Sequence, residues 1–255
     1  MIKYLAILVP ACLLLACDVV SLSSSAVVPQ TQIHDRKTSP EDTKSPEDTK
    51  LPEDRKTSKN VLLRSVFQED KGLTTVFLHG YGSNEEDMGG LARRAALKGT
   101  LVGYRAPIVM TTGRYAWFPV SFSNEGSKYD DKKVALAAEQ VIKELEHENT
   151  PVQLMGFSQG GMLSLYIGLL RPDLVSRVVV LSGAGPLPPK TDSKSFPKVF
   201  MAHGSADQVI LVDRAHAVRD ELIQRGITPT YVEIEGLPHA VDDEILERLR
   251  EWEQN

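Results

Sequence analysis

Gly156-Phe157-Ser158-Gln159-Gly160 carries the pattern Gly-x-Ser-x-Gly. Small residues two positions either side of a serine permit a tight, strained turn from strand to helix, with the hydroxyl projecting above the end of the strand. A hydroxyl is a weak nucleophile until a base takes its proton. Asp207 and His239 follow Ser158 in the order Ser, Asp, His, each just past an apolar run. In that arrangement His239 takes the Ser158 proton and later returns it to a leaving group, while Asp207 orients the imidazole and stabilises its charged form. The chemistry is acyl transfer through a covalent acyl-serine. Its tetrahedral intermediate needs N–H donors aimed at an oxyanion. The backbone N–H of Gln159 is one candidate, and that of Tyr81, in the glycine-rich stretch Leu78-His79-Gly80-Tyr81-Gly82, is the second.

Each assignment has a plainer competitor. A loop aspartate is often a turn former or a helix cap, so Asp207 could instead cap the helical stretch that begins near Val209. Asp192 is the nearest rival acid, but it lies in a loop rich in Pro, Ser and Lys that reads as solvated. Of the six histidines, His34 falls in a polar N-terminal segment, and His147 and His216 lie on charged helical stretches. His79 and His203 each end a strand before a glycine, which suits the shaping of a turn better than proton transfer. No ligand spacing supports a metal site built from them. His239 is the base candidate.

The elements that must hold these residues read as alternating strands and helices. Apolar runs predict strands at Val61–Gln68, Leu73–His79, Thr100–Arg105, Val152–Phe157, Arg177–Ser182, Lys198–His203 and Thr230–Glu235. Helical spacing follows Asn84 to about Lys98, Asp130 to Glu148, a stretch from about Gly161, and Val209 to Arg225 before Gly226. Short, near-continuous apolar strands alternating with helices predict an α/β fold, with a mostly parallel sheet covered on both faces. The candidate residues then gather at one edge of that sheet.

The chain has 255 residues, 29 Lys+Arg against 34 Asp+Glu, and a formal net charge of −5. With no dense basic cluster, it lacks the electrostatic footprint of nucleic-acid binding. Its two cysteines, Cys12 and Cys17, both lie in the first apolar segment, so the expected folded part carries no thiol. The uncharged run Tyr4 to Ala16 is shorter than the roughly 20 residues a membrane-spanning helix needs and reads as a signal peptide, residues 1–16. Leu14-Leu15-Ala16-Cys17 resembles the bacterial lipobox, which implies lipidation at Cys17 and an exported, membrane-anchored lipoprotein of the bacterial cell envelope, facing the periplasm in a Gram-negative host. An ordinary cleaved signal with an incidental cysteine is the other reading. Residues 17–60 hold the repeats SPEDTK, SPEDTK and LPEDRK and little apolar surface, the composition of a disordered tether. Residues 61–255 then form one compact domain without a large lid.

Within that domain LHGYGSNEED, the pair Trp117-Phe118, GFSQGG, HGSAD and PHAVDDE occur in the order seen in the phospholipase/carboxylesterase family, which the chain resembles from about Leu73 to Trp252. That family includes acyl-protein thioesterase-like enzymes. The resemblance implies an α/β-hydrolase fold, the triad Ser158, Asp207 and His239, oxyanion donors at Tyr81 and Gln159, and no metal or organic cofactor. Three positions depart from the family's habit: Pro119 where Asp is common, Gln208 where Pro is common and Pro238 where Gly is common. Trp117 and Phe118 sit in a loop that could line an acyl pocket or pack against the sheet. The expected reaction is hydrolysis of small or soluble carboxylic esters or thioesters. A peptidase or a polymer- or aromatic-ester esterase on the same triad, and a noncatalytic binding lipoprotein, are the alternatives.

Overall fold

The computed structural model describes residues 62–123 and 126–254. The expected signal peptide, Cys17 and the repeat-bearing tether lie outside the described residues. In chain order the elements are β1 (Arg64–Gln68), β2 (Thr74–Leu78), α1 (Glu85–Ala95), β3 (Thr100–Tyr104), β4 (Ile108–Thr111), β5 (Arg114–Ala116), β6 (Ser121–Ser123), β7 (Gly126–Lys128), α2 (Asp131–Leu145), β8 (Val152–Phe157), α3 (Gln159–Leu170), β9 (Val175–Leu181), β10 (Lys198–Gly204), α4 (Val212–Gln224), β11 (Thr230–Ile234) and α5 (Asp243–Glu253).

The main sheet has seven strands in the order β1-β3-β2-β8-β9-β10-β11. All neighbours are parallel except β1, which runs antiparallel to β3. Strand burial follows position in the sheet. Every residue of central β8 is buried, whereas edge strand β1 alternates exposed and half-buried residues, as expected when helices cover both faces of the middle only. Helices α2, α3 and α4 supply Val141, Leu163 and Leu222 to the core on one face. On the other face, α1 and α5 supply Met88, Leu91, Ile245 and Leu249. Central α3 is buried from Gln159 to Leu169.

Caps fix where the helices begin. Asn84 Oδ1 accepts from the N–H groups of Glu86 and Asp87 at 2.9 and 3.2 Å, and Glu85, Glu86 and Asp87 occupy the first turn of α1, where the helix dipole favours negative charge. Asp242 caps α5 through the N–H of Ile245 at 2.9 Å. Three features go beyond the sequence expectation. Helix α3 starts at Gln159, immediately after Ser158, and α4 starts at Val212. The stretch between β3 and α2 contains two small hairpins, β4–β5 and β6–β7. Helix α5 closes the described chain; its buried Ile245, Leu246 and Leu249 have helical spacing amid many charges.

The chain leaves β2 toward β3 on one side and returns to β8 on the other. The carboxyl ends of β2 and β8 therefore mark the switch point at which open α/β sheets place ligands. Ser158, Asp207, His239 and the loop after β2 all follow carboxyl ends of parallel strands, hence lie at one edge.

Candidate active site

Ser158 joins β8 to α3 with φ 53° and ψ −117°, a conformation that a residue with a Cβ adopts only when its surroundings enforce it. They do so here. The Ser158 N–H donates to Leu181 O at 2.8 Å, and Ser158 O accepts from Met162 N–H at 3.0 Å. Gly156 and Gly160 have no room for a side chain: a Cβ on Gly160 would collide with the Leu78 carbonyl, and one on Gly156 with the Gly160 carbonyl. Helix α3 therefore packs directly on the ends of β2 and β8. Ser158 is 8% exposed.

Asp207 lies three residues beyond β10, its side chain wholly buried. Its Oδ2 accepts from His239 Nδ1 at 2.7 Å, while Oδ1 accepts from the N–H groups of Val209 and Ile210 at 2.8 and 2.9 Å. One oxygen thus meets His239 and the other ties a turn that precedes α4, which starts at Val212 and is not capped by Asp207. His203 approaches Oδ2 at 3.3 Å through Nε2, which also donates to Ile210 O at 2.8 Å. Because a carbonyl only accepts, that nitrogen carries the proton. Burial raises the Asp207 carboxyl, but the hydrogen bonds from His203 and His239, the His239 charge and the Ile210 N–H outweigh it and hold the acid well below the usual carboxylate range. With Nδ1 on Asp207, His239 keeps Nε2 for another partner; this buried atom makes no hydrogen bond among the described residues. The imidazole stacks at a tilt on Phe157, the residue before Ser158, centroids 4.9 Å apart. Asp192 is exposed in the loop before β10.

The loop after β2 abuts the elbow: a Cβ on Gly80 would lie 3.5 Å from Ser158 Cβ. Gly80 C=O and Tyr81 N–H share one peptide plane, and Gly80 O accepts from His79 Nδ1 at 2.8 Å and from Ser83 N–H at 3.2 Å. The tautomer of His79 follows from its partners. Nε2 accepts from Ala106 N–H at 3.0 Å, so Nδ1 holds the proton. Burial lowers the His79 pKa, against smaller upward pulls from the Gly80 carbonyl, Glu85 and Asp87.

Trp117 and Phe118, the expected substrate contacts, are 2% and 1% exposed. Trp117 Nε1 donates to His79 O at 2.9 Å, and Phe118 packs edge-on to Tyr129, centroids 5.8 Å apart. Their burial matches the packing alternative for this loop. Gln159 contributes more than its main chain: Oε1 accepts from Trp117 N–H at 2.8 Å, and Nε2 donates to Phe118 O at 2.7 Å. Sequence reasoning missed this carboxamide and the contact of His203 with Asp207. Their sole signal was position, a polar residue beside a glycine at a strand or helix end.

Residues 67–254 match the family described as Phospholipase/Carboxylesterase. The chain belongs to that family. Among relatives of this phospholipase/carboxylesterase chain are a probable carboxylesterase of rice (Oryza sativa subsp. japonica), 34% identical over 48% of this chain and 57% of the relative, and acyl-protein thioesterase 1 of Yarrowia lipolytica, 27% identical over 70% of this chain and 89% of the relative. The chain spans little more than half the length of the rice and Arabidopsis carboxylesterases it matches. A solved carboxylesterase from Mesorhizobium loti superposes with a TM-score of 0.64 at 20% identity, covering 78% of this chain and 97% of that one. That likeness shows the α/β-hydrolase fold.

Proposed function

We propose that this phospholipase/carboxylesterase member hydrolyses small or soluble carboxylic esters or thioesters through an acyl-enzyme on Ser158. The observation that carries the reading is the Asp207–His239 hydrogen bond of 2.7 Å behind a serine held at φ 53°. In the first step Ser158 Oγ bonds to the acyl carbon as its proton passes to His239 Nε2, leaving the carbonyl oxygen as an oxyanion facing Gln159 N–H and Tyr81 N–H. Collapse expels the alcohol or thiol, which takes the proton from His239. Water then repeats the sequence, releasing the acid and restoring Ser158. Gln159 is the first residue of α3, so its N–H has no intrahelical partner, and the positive end of the helix dipole adds to the field on the oxyanion. Among the described residues the longest connection between elements of the main sheet and its helices, 105–130, holds only two small hairpins, which supports a preference for small or soluble substrates.

Labelling of the purified chain by a fluorophosphonate tests the reading, alongside Ser158→Ala and a panel of short and long acyl esters and thioesters. Labelling and hydrolysis should both vanish in Ser158→Ala. A folded wild-type chain that neither labels nor turns over any panel member would sink the proposal in favour of a noncatalytic binding protein. A rate preference for long-chain emulsified lipid would sink the substrate class alone.

On the sequence Leu14-Leu15-Ala16-Cys17 we further infer export and lipidation at Cys17, with anchoring in the bacterial cell envelope. Radiolabelled palmitate should enter the wild-type chain and not Cys17→Ala, and the variant should leave the membrane fraction. Equal labelling of the two would refute it.

A further inference from the structure

The two oxyanion donors sit on separate elements, Gln159 at the start of α3 and Tyr81 in the loop beyond β2. Between β2 and β8 the last paired residues are Leu78 and Gly156, and β8 pairs with β9 only one residue further, at Phe157, so the sheet ladder itself does not reach either donor. A continuous path of buried hydrogen bonds does. Gln159, 2% exposed, pairs both ends of its carboxamide with consecutive main-chain groups, Trp117 N–H and Phe118 O, at 2.8 and 2.7 Å. The Trp117 indole then donates to His79 O at 2.9 Å, and its ring lies 5.4 Å from the His79 ring. His79 Nδ1 donates to Gly80 O at 2.8 Å, on the peptide plane whose other end is Tyr81 N–H. Beyond Tyr81 the same 115–118 stretch holds the loop again: Gly82 N–H donates to Tyr115 O at 2.8 Å, and Tyr115 N–H to Ser83 O at 2.9 Å. Tyr81 is thus held on both sides by the segment that Gln159 grips.

We propose that the Gln159 carboxamide and the Trp117 indole N–H form a brace that sets the separation and aim of the two oxyanion donors, making Gln159, through its side chain, and Trp117 positioning residues for acyl transfer. The proposal rests on the serine-hydrolase reading above. A chain that needed only to satisfy Trp117 N–H and Phe118 O would lose stability, and nothing else, on losing the carboxamide. A brace predicts a loss concentrated in the transition state, because donors must meet the oxyanion within a narrow distance range and small misplacements are costly.

The test uses the full chain with Gln159→Met, which removes both carboxamide bonds, and Trp117→Phe, which keeps an aromatic ring and removes the N–H. For each, kcat and KM on a soluble short-chain ester are measured together with the affinity for an alkylboronic acid, whose tetrahedral adduct on Ser158 mimics the intermediate. Near-UV circular dichroism reports folding. Both variants should lose kcat by about 10- to 100-fold, keep KM within about twofold, and bind the boronic acid more weakly by a factor similar to the loss in kcat. If Gln159→Met does not fold, Trp117→Phe decides alone. A folded variant with wild-type kcat and boronate affinity overturns the brace, and so does a rise in KM at unchanged kcat, which would make Trp117 a substrate contact instead. In both cases the wild type still labels with fluorophosphonate; a wild type that does not label removes the hydrolase reading itself.

Discussion

Asp207 divides its two oxygens between two tasks. Oδ2 faces His239 and His203, and Oδ1 ties the main chain of Val209 and Ile210. Asp207→Asn should lower kcat by about 10⁴-fold, since an amide can favour the wrong tautomer of His239, while labelling of Ser158 becomes slow rather than absent. Because its donors hold the folded carboxyl below the ordinary carboxylate value, its contribution to stability is complete above about pH 4 and is lost as the pH falls through the depressed folded value. Asn does not titrate. The stability gap between wild type and Asp207→Asn, measured by urea unfolding, should therefore shrink as the pH falls below about 4. A gap that grows below about pH 4 would contradict this account.

The contact of α3 with β2 and β8 depends on two hydrogens in place of two methyl groups. Gly160→Ala drives a Cβ into the Leu78 carbonyl. It should cost about 1–3 kcal/mol or more in urea unfolding and lower kcat as well, because the helix start carries both Ser158 and Gln159, the proposed nucleophile and oxyanion donor. A second element-level support lies beside the loop after β2. Glu85, its side chain 1% exposed at the start of α1, receives a bidentate pair from Arg105, whose guanidinium lies 4.7 Å from the Tyr115 ring centroid. Arg105→Ala strands that carboxylate. With the Arg105 side chain 33% exposed and partly solvated, the loss should be about 1–3 kcal/mol, and kcat should fall several-fold through the Tyr115 contacts with Gly82 and Ser83. Full stability and full activity in Arg105→Ala would remove the pair from this role.

At the scale of the molecule, the parallel sheet brings residues distant along the chain to one edge. Strands β2, β8, β10 and β11 run in one direction, so the segments after their carboxyl ends meet, and the reversal of strand order between β2 and β8 marks the switch point there. Two apolar layers, one on each sheet face, hold that edge rigid. The domain's chemistry should accordingly be independent of what precedes it. Removal of residues 1–60 should leave kcat on a soluble ester within about twofold and leave the urea midpoint unchanged, because residues from Leu62 onward supply an apolar layer on each sheet face and every group of the proposed triad. A marked loss of either would place part of the folding unit in the N-terminal segment.

The sequence by itself determined the alternation of strands and helices and the chain order of Ser158, Asp207 and His239. Both are written locally: apolar runs of strand length, caps such as Asn84, and glycines that a tight elbow demands each act over a few residues. Helix α5 carries a signal of the same local kind, the spacing of Ile245, Leu246 and Leu249, but the sequence reading did not include it. The tertiary structure alone decided how Gln159, Trp117, His79 and His203 use their polar atoms. Gln159 meets Trp117 across 42 positions of chain, and Trp117 meets His79 across 38. Such bonds are chosen by which groups are left buried and unpaired after the sheet and helices have packed, and no local pattern records that remainder.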